Sequence, residues 1–168
     1  MKIGLISDTH GFVDPAVKDY FMDCDEIWHM GDFGSMQVVD KLSAIKPLKG
    51  VYGNIDGHEI RQIFPMEQRF KCAGIDVYMI HIGGTPPRYA TGLKAKLTQN
   101  PPGIFLCGHS HILKVMADKP MNNMLYINPG AAGQQGFHKM RTIIRFEILE
   151  GKPQNMEVIE LGKRSKWT

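Results

Sequence analysis

The sequence has few cysteines and no arrangement of them that would hold a fold together. Cys24, Cys72 and Cys107 are widely spaced, and no two of them form a CxxC pair. This pattern argues against a disulfide framework and a zinc ribbon, and it fits a reducing compartment. Long apolar runs are also lacking: nothing approaches the ~20 residues of a membrane span, and the apolar start at residues 2–6 is too short for a signal peptide. We therefore predict a cytoplasmic protein without a membrane partner.

A strong excess of one charge is missing too. The 20 basic residues are interleaved with 17 acidic ones, which gives a formal net charge of +3. A specific nucleic-acid partner is therefore not indicated. The 168 residues contain no internal repeat or linker, and a hydrophobic content of 43% is enough for a core, so we expect one domain over residues 1–168. The sequence leaves the oligomeric state open, including a homo-oligomer.

The first third of the chain has the pattern of three strands, each followed by a polar loop. Strands are predicted over residues 3–7, 26–30 and 48–52, and helices over 15–22 and from 35 or 36 to 46. In an open α/β sheet, the carboxyl ends of parallel strands form the crevice where ligands bind. The three loops should therefore meet in space.

Strands dominate the rest of the chain. The patterns predict a hairpin of strands 69–73 and 75–81 around Gly74, a helix over 88–98, and short strands over 104–107, 113–117, 124–128, 142–149 and 156–161. The economical architecture is an α/β (α+β) fold, in which two mixed β-sheets pack face to face as a sandwich and helices flank them.

Two pairs of ligand-type side chains lie at predicted strand ends. Asp8 and His10 stand two residues apart, and in extended backbone such side chains share one side, so both could reach one ion. His109 and His111 repeat the spacing after Gly108. Each pair has an ordinary alternative, because a D-x-H triplet often arises by chance and paired histidines can simply lie at the surface.

Three further residues, Asp32, Asn54 and His81, each follow a predicted strand. Taken singly, Asp or Asn after glycine is more often a turn former than a ligand. Taken together, five strand ends deliver Asp, His, Asn and paired His to one crevice. Oxygen and imidazole ligands without thiolate suit borderline or hard divalent ions, so the joint pattern favours a metal site.

The order D-x-H, G-D, G-N, H and G-H-x-H, from Asp8 to His111, resembles that of the calcineurin-like metallophosphoesterases. It looks most like the small single-domain prokaryotic phosphodiesterase branch, and Asn128-Pro129-Gly130 is similar to the segment that follows the paired histidines there. The resemblance implies one such domain over residues 1–168, with two mixed sheets and flanking helices in four layers.

The resemblance also implies a role for each motif residue. One metal ion would be bound by Asp8, His10, Asp32 and His111, and the other by Asp32, Asn54, His81 and His109. Asp32 would bridge the two ions, and Asp32, Asn54 and His109 would also serve catalysis. The expected cofactors are two divalent ions, with Mn²⁺ first and Ni²⁺, Zn²⁺, Fe²⁺ or Mg²⁺ as alternatives.

The activity implied is hydrolysis of a small phosphate ester. Paired ions lower the pKa of a shared water, whose hydroxide attacks phosphorus, and they stabilise charge on the phosphoryl oxygens. Two such ions, the carboxylates of Asp8 and Asp32 and one hydroxide leave a site near +1, which attracts an anion. A diester is favoured over a monoester because no Arg or Lys pair is placed to hold a dianion.

Ile55 departs from the family pattern. Many members have a histidine at this position, which is thought to donate a proton to the leaving group, and an aliphatic side chain cannot do so. Losing a general acid costs ~10² to 10⁴ in rate, so we expect a preference for good leaving groups, or a substitute donor such as Asp56 or His58.

His29 is expected to be packed or to support a ligand rather than to bind metal itself. His138, Lys139 and Arg141 could reach a phosphate, but such glycine-rich loops with basic residues are ordinarily solvated.

A different class of function is a protein-interaction scaffold on the same fold. A scaffold subunit of retromer resembles a phosphoesterase whose metal site is damaged, and it works as a protein-binding module. Here all seven ligand positions hold residues able to bind metal, which favours the enzyme. A nuclease would need an electropositive face that the interleaved charges do not supply.

Overall fold

The computed structural model describes residues 1–164, in which two five-stranded sheets and four α-helices make up most of the regular structure. In chain order the elements are β1 (Lys2–Ile6), α1 (Ala16–Phe21), β2 (Glu26–His29), α2 (Met36–Ser43), β3 (Leu48–Gly50), α3 (His58–Ile63), β4 (Glu67–Cys72), β5 (Ile75–Ile80), β6 (Gly84–Thr85), β7 (Arg88–Tyr89), α4 (Leu93–Gln99), β8 (Ile104–Leu106), β9 (Lys114–Asp118), β10 (Met124–Asn128), β11 (Met140–Leu149) and β12 (Lys152–Lys163).

Both sheets are mixed, and each has three parallel strands at its centre or edge. The first sheet has the order β12-β11-β1-β2-β3, in which β1, β2 and β3 are parallel and β11 runs antiparallel to β1. The second has the order β4-β5-β8-β10-β9, in which β5, β8 and β10 are parallel. The five strands that precede the motif residues, β1, β2, β3, β5 and β8, thus lie in parallel sets.

Strand alternation divides the buried residues into layers. On β8, Ile104 and Leu106 belong to the core between the two sheets, whereas Phe105 packs with Leu93 and Leu97 of α4 on the outer face. The other outer face is covered by α1, α2 and α3, because the side chains of these helices pack against outward residues of the first sheet. Since successive strand residues point to opposite faces, one short apolar run contributes side chains to two hydrophobic cores. The result is the predicted sandwich with helices outside.

The helix predicted over residues 88–98 is wrong in its first half. Arg88 and Tyr89 form β7, which pairs with Gly84 and Thr85 in a small two-stranded sheet, and α4 begins only at Leu93. Gly92 has a φ of +79°, a left-handed conformation that glycine adopts without penalty and that separates β7 from α4. This tight hairpin overrides helical propensity over 88–92.

A short helix was missing from the sequence prediction. Helix α3 is six residues long and buries Ile60 alone, so its apolar periodicity is too brief to recognise. It begins just after the Asn54 loop and therefore forms one wall of the region described next. No helix within residues 1–164 is long and apolar enough to cross a membrane.

Candidate metal centre

The seven motif residues come together at one end of the sandwich. They lie in the loops after β1, β2, β3, β5 and β8, so the carboxyl ends of parallel strands from both sheets face a common crevice. Among residues 1–164, two groups of side chains are close enough to hold a cation, namely Asp8, His10 and His111, and Asp32, His81 and His109. The resemblance implies larger sets, with Asp32 in both and Asn54 in the second.

The first group surrounds a buried carboxylate. Asp8 is fully buried, and its Oδ1 lies 3.2 Å from Nε2 of His111. Nε2 of His10 is 3.2 Å from the same nitrogen of His111. The hydroxyl of Ser7 donates to Asp8 Oδ2 over 2.5 Å, and the backbone N–H of His109 donates to Asp8 over 3.2 Å. Three potential ligand atoms thus lie close together, and hydrogen bonds from Ser7 and His109 hold the carboxylate of Asp8 in place.

The second group is built around His81, which is 2% exposed. Nε2 of His81 lies 3.3 Å from Asp32 Oδ2 and 3.1 Å from Asn54 Oδ1. The ring of His109 packs edge to face on that of His81, with the ring centres 5.2 Å apart. His109 and Asn54 are exposed, so this group is open to solvent on the side where a substrate would arrive.

Asp32 connects the two groups. Its Oδ1 accepts the backbone N–H of Ile55 at 3.1 Å, which leaves Oδ2 to face both sets of imidazoles. Oδ2 lies 3.3 Å from His81 Nε2 and 3.7 Å from His10 Nε2. One oxygen therefore stands between the two groups.

The backbone brings the paired ligands together in a way that the sequence interpretation had wrong. Asp8, His10, Asp32, His109 and His111 all have positive φ, between 46° and 66°. The D-x-H and H-x-H pairs are therefore not extended segments with alternating side chains. Left-handed backbone is uncommon at non-glycine residues, although Asp and His adopt it more readily than most, and five of the ten instances among the described residues lie in this crevice.

Two of the glycines before motif residues are required by close approach. A Cβ on Gly53 would overlap Oδ1 and the backbone nitrogen of Asp32, and a Cβ on Gly108 would overlap the Ser7 hydroxyl. These glycines let the loops carrying Asn54 and His109 lie against the carboxylates of the neighbouring loops. The G-N and G-H parts of the motifs are thus a packing requirement of the crevice.

Backbone carbonyls fix which ring nitrogen faces the crevice. His81 Nδ1 donates to the carbonyl of Met30 over 2.7 Å, so Nε2, which faces the oxygens of Asp32 and Asn54, is the nitrogen whose proton a cation would replace. His138 Nε2 donates to the carbonyl of Gly133 over 3.1 Å, and its Nδ1, 3.3 Å from Nδ1 of His111, can then accept from that ring. With a cation bound, His81 and His111 would each present an unprotonated Nε2, as metal ligation requires. The sequence interpretation missed His138, which it left in a solvated loop.

The charges of the crevice are coupled. Burial lowers the pKa of His10 below its usual value, although the carboxylates of Asp32 and Asp8 oppose this. Burial acts on His81 in the same direction, but the hydrogen bond to Asp32 and the nearby carboxylates outweigh it and raise the pKa of His81. Burial alone would raise the pKa of Asp32, yet its contacts with His81 lower it. A divalent cation would take over the role of the His81 proton as the partner of Asp32.

Three other sequence candidates are not positioned as ligands or donors. His29 is fully buried, accepts the N–H of Gly31 at Nδ1 over 3.0 Å, and its Nε2 is 2.9 Å from the Thr9 hydroxyl, so the expectation that it is packed is confirmed. Burial holds the pKa of His29 well below its usual range. Asp56 is buried and accepts backbone N–H groups at both oxygens, and His58 is exposed beside Gln62. Neither is a substitute proton donor.

The separations within each group suit a divalent ion. Two ligand atoms bound at about 2.1 Å to one ion lie roughly 3.0–3.4 Å apart. The pairs His10–His111, Asp8–His111 and His81–Asp32 are separated by 3.2, 3.2 and 3.3 Å between the atoms named above. The imidazole nitrogens in each group thus lie at the spacing of atoms that share one cation, and the second ring nitrogens of His81 and His111 are directed to the Met30 carbonyl and to His138.

Comparisons with a family model and with known proteins agree on the family of this chain. A model of the calcineurin-like phosphoesterase superfamily domain matches residues 1–151. A protein of Methanothermobacter thermautotrophicus named "Probable metallophosphoesterase" is 31% identical over 137 residues, which cover 78% of this chain and 77% of that protein. A protein of the same name from Methanocaldococcus jannaschii is 29% identical over 138 residues, which cover 78% and 68% of the two chains.

Solved structures share the fold. A structure described as a novel archaeal phosphodiesterase superposes with a TM-score of 0.74 at 20% identity and covers 96% of this chain and 100% of its own. Wild-type Vps29 of Entamoeba histolytica in complex with Zn²⁺ superposes with a TM-score of 0.70 at 17% identity and covers 95% and 99%. At these identities the likeness establishes the fold and nothing further.

Proposed function

Because this chain belongs to the calcineurin-like phosphoesterase superfamily, a family of metal-dependent phosphoesterases, we propose that it is a phosphodiesterase with a dinuclear metal centre. We propose that Asp8, His10, Asp32 and His111 hold one ion and that Asp32, Asn54, His81 and His109 hold the other. The observation that carries this proposal is the position of Asp32 Oδ2, 3.3 Å from His81 Nε2 and 3.7 Å from His10 Nε2.

When bound, two divalent ions would supply a water nucleophile of lowered pKa and would stabilise charge on the phosphoryl oxygens. The chain's own contribution is to fix the groups around them. Ser7 and the N–H of His109 orient the carboxylate of Asp8, and the N–H of Ile55 orients Asp32. We propose that Asn54 and His109, the exposed members of the site, would also contact the phosphoryl group, and that they and Asp32 act in catalysis.

A diester is the proposed substrate class, rather than a monoester. Arg61 is the arginine nearest to the proposed ligands by its contacts, and its Nη2 and Nε are already bonded to the backbone carbonyls of Asn54 and Asp56. A monoester dianion gains most from a free guanidinium fork, whereas a singly charged diester needs less compensation.

We propose Mn²⁺ as the metal in the cell, with Ni²⁺, Zn²⁺, Fe²⁺ and Mg²⁺ as alternatives, because a mixed set of carboxylate, amide and imidazole ligands accepts all of them. We also propose that residues 1–168 form one calcineurin-like phosphoesterase domain.

We propose a cytoplasmic location as well. The three cysteines, all free and buried, support it.

The test is hydrolysis of bis-p-nitrophenyl phosphate and p-nitrophenyl phosphate by chelator-stripped protein reloaded with Mn²⁺, Ni²⁺, Zn²⁺ or Mg²⁺. We expect activity that returns with metal, favours the diester, and is lost in Asp32→Asn, because an amide cannot bridge two cations as a carboxylate does. Asp40→Asn, an exposed carboxylate on α2, is the matched control.

A protein-interaction scaffold on the same fold is the second candidate, since the fold is shared with Vps29 as well as with a structure described as a phosphodiesterase. It predicts metal binding without turnover. No hydrolysis with any of the four metals, at full metal content, would place this candidate first.

A further inference from the structure

A cleft opens beside the proposed second metal site. It has a volume of about 260 Å³ and is lined by Tyr52, Gly53, Asn54, Arg61, Met66, Ile80, His81 and Ile82. Asn54 and His81 belong to both the cleft and the metal site, so a group in the cleft would be continuous with a phosphoryl group on the metal ligands. The volume lies below the ≈ 300–1,000 Å³ of a drug-sized ligand site, which suits one small substituent rather than a whole large ligand.

The remaining walls of the cleft are mostly apolar. Met66 is 57% exposed and Ile82 is 43% exposed, and both stand beside the half-buried ring of Tyr52 and side chain of Ile80. Large apolar side chains left exposed around a concave surface, next to a polar site, are typical of a ligand groove. Methionine in particular makes favourable contacts between its sulfur and aromatic rings.

Arg61 carries the one fixed charge among the described residues that line the cleft. Its guanidinium carbon lies 4.6 Å from the centre of the Tyr52 ring, Nε donates to the carbonyl of Asp56 over 2.7 Å, and Nη2 donates to the carbonyl of Asn54 over 3.3 Å. The cation is therefore held in place without any carboxylate partner among the described residues. A fixed guanidinium attracts the electron-rich face of an aromatic ring.

We propose that this cleft binds one aromatic ester substituent of a phosphodiester substrate, a single ring such as a phenyl group or a nucleobase. The inference rests on the proposed function, because the phosphoryl group of that substrate would lie against Asn54 and His81. The proposal specifies the kind of alcohol that is esterified in the substrate, which the metal ligands do not select. An alkyl substituent of one carbon would leave the cleft empty and gain none of its contacts.

Binding of two non-chromogenic diesters to the Mn²⁺-loaded full chain tests the cleft separately from turnover. Diphenyl phosphate and dimethyl phosphate carry the same charge and differ in their substituents alone. We expect diphenyl phosphate to bind at least roughly tenfold more tightly, since the buried ring adds apolar contact, and to shift the ¹³C-methyl NMR signals of Met66 and Ile82.

The double variant Met66→Gln/Ile82→Gln should lose that preference and keep its affinity for dimethyl phosphate. Met22→Gln/Ile63→Gln is the matched control, because these side chains are 60% and 53% exposed and do not line the cleft. Single Met66→Gln serves if the double variant does not fold. Equal affinities of the wild type for the two diesters, or an unchanged preference in the Gln variant, would overturn the proposal. Loss of hydrolysis of bis-p-nitrophenyl phosphate with every metal would instead overturn the proposed function.

Discussion

His138 supports His111 through two ring nitrogens that lie 3.3 Å apart, while its other nitrogen is 3.1 Å from the carbonyl oxygen of Gly133. The hydrogen bonds that run from the Gly133 carbonyl through His138 to His111 fix the tautomers of both histidines. Nε2 of His111 is then free to face Asp8. The ligands of metal sites commonly depend on such supporting bonds, which hold the ring in orientation and raise its basicity.

Replacing the supporting histidine should therefore weaken metal binding. For His138→Phe we expect about a 10- to 100-fold loss of Mn²⁺ affinity at the first site, measured by calorimetric titration of the chelator-stripped protein. His58→Phe is the control, since His58 is an exposed histidine outside the crevice. Equal affinities for the wild type and His138→Phe would show that His111 needs no support.

The glycine before Asn54 should tolerate no side chain. In Gly53→Ala the new Cβ would overlap Asp32, so the carboxylate must move, and a displacement of about 1 Å can cost roughly 100-fold in turnover. Gly57→Ala is a close control in the same loop, because a Cβ there meets nothing within 4 Å. Metal content and diester turnover would be measured for both; near-normal values in Gly53→Ala would mean that Asp32 does not bridge.

A histidine introduced at position 55 should supply the missing proton donor. Ile55 is 48% exposed beside Asn54, and its backbone N–H to Asp32 does not depend on its side chain. We expect Ile55→His to raise turnover of diesters with poor leaving groups by roughly tenfold or more, and to change it little for p-nitrophenolate.

The measurement is a plot of log kcat against leaving-group pKa for a series of aryl methyl phosphates. The slope should be steeply negative in the wild type and shallower in Ile55→His. Ile55→Gln, which is polar but cannot act as a general acid, should keep the steep slope. The same slope in all three proteins would contradict the claim that Ile55 deprives the site of a proton donor.

Asp14 and Arg141 should make stability depend on acid pH. Arg141 Nη1 donates to Asp14 over 2.7 Å, and Nη2 donates to the carbonyl of Leu161, which ties the loop before α1 to β12. Burial raises the pKa of Asp14, but the N–H of Ala16 and the Arg141 guanidinium outweigh it, so the folded-state pKa lies below the ordinary 3.8.

A depressed pKa means that the contribution of Asp14 to stability is present above the unfolded pKa and is lost as the pH falls through the folded value. Asp14→Asn should therefore lower the free energy of unfolding by about 1 kcal/mol at pH 7 and by progressively less below pH ~4. Urea unfolding at several pH values measures this, with Asp40→Asn as the control. A difference that persists unchanged at pH 3 would rule out the ion pair as its cause.

Much of the architecture could be predicted from local pattern. Strand β10 was predicted with its observed bounds, and β1, β2, β5 and β8 differ from their predictions by one residue at one or both ends. Burial on both faces makes such strands short continuous apolar runs, and the polar loops after them are equally plain. The prediction failed at Arg88 and Tyr89, where pairing with Gly84 and Thr85 overrides local propensity.

The sequence by itself determined the types of the site residues and their positions at strand ends, because a turn after a parallel strand places Asp, Asn and His at one edge of a sheet. It could not determine the left-handed backbone at Asp8 and His109, the contact of His138 with His111, or the cleft beside Arg61. These depend on loops from different strands packed against one another, and the interactions of residues far apart in the chain leave no local pattern. Tertiary structure decided them.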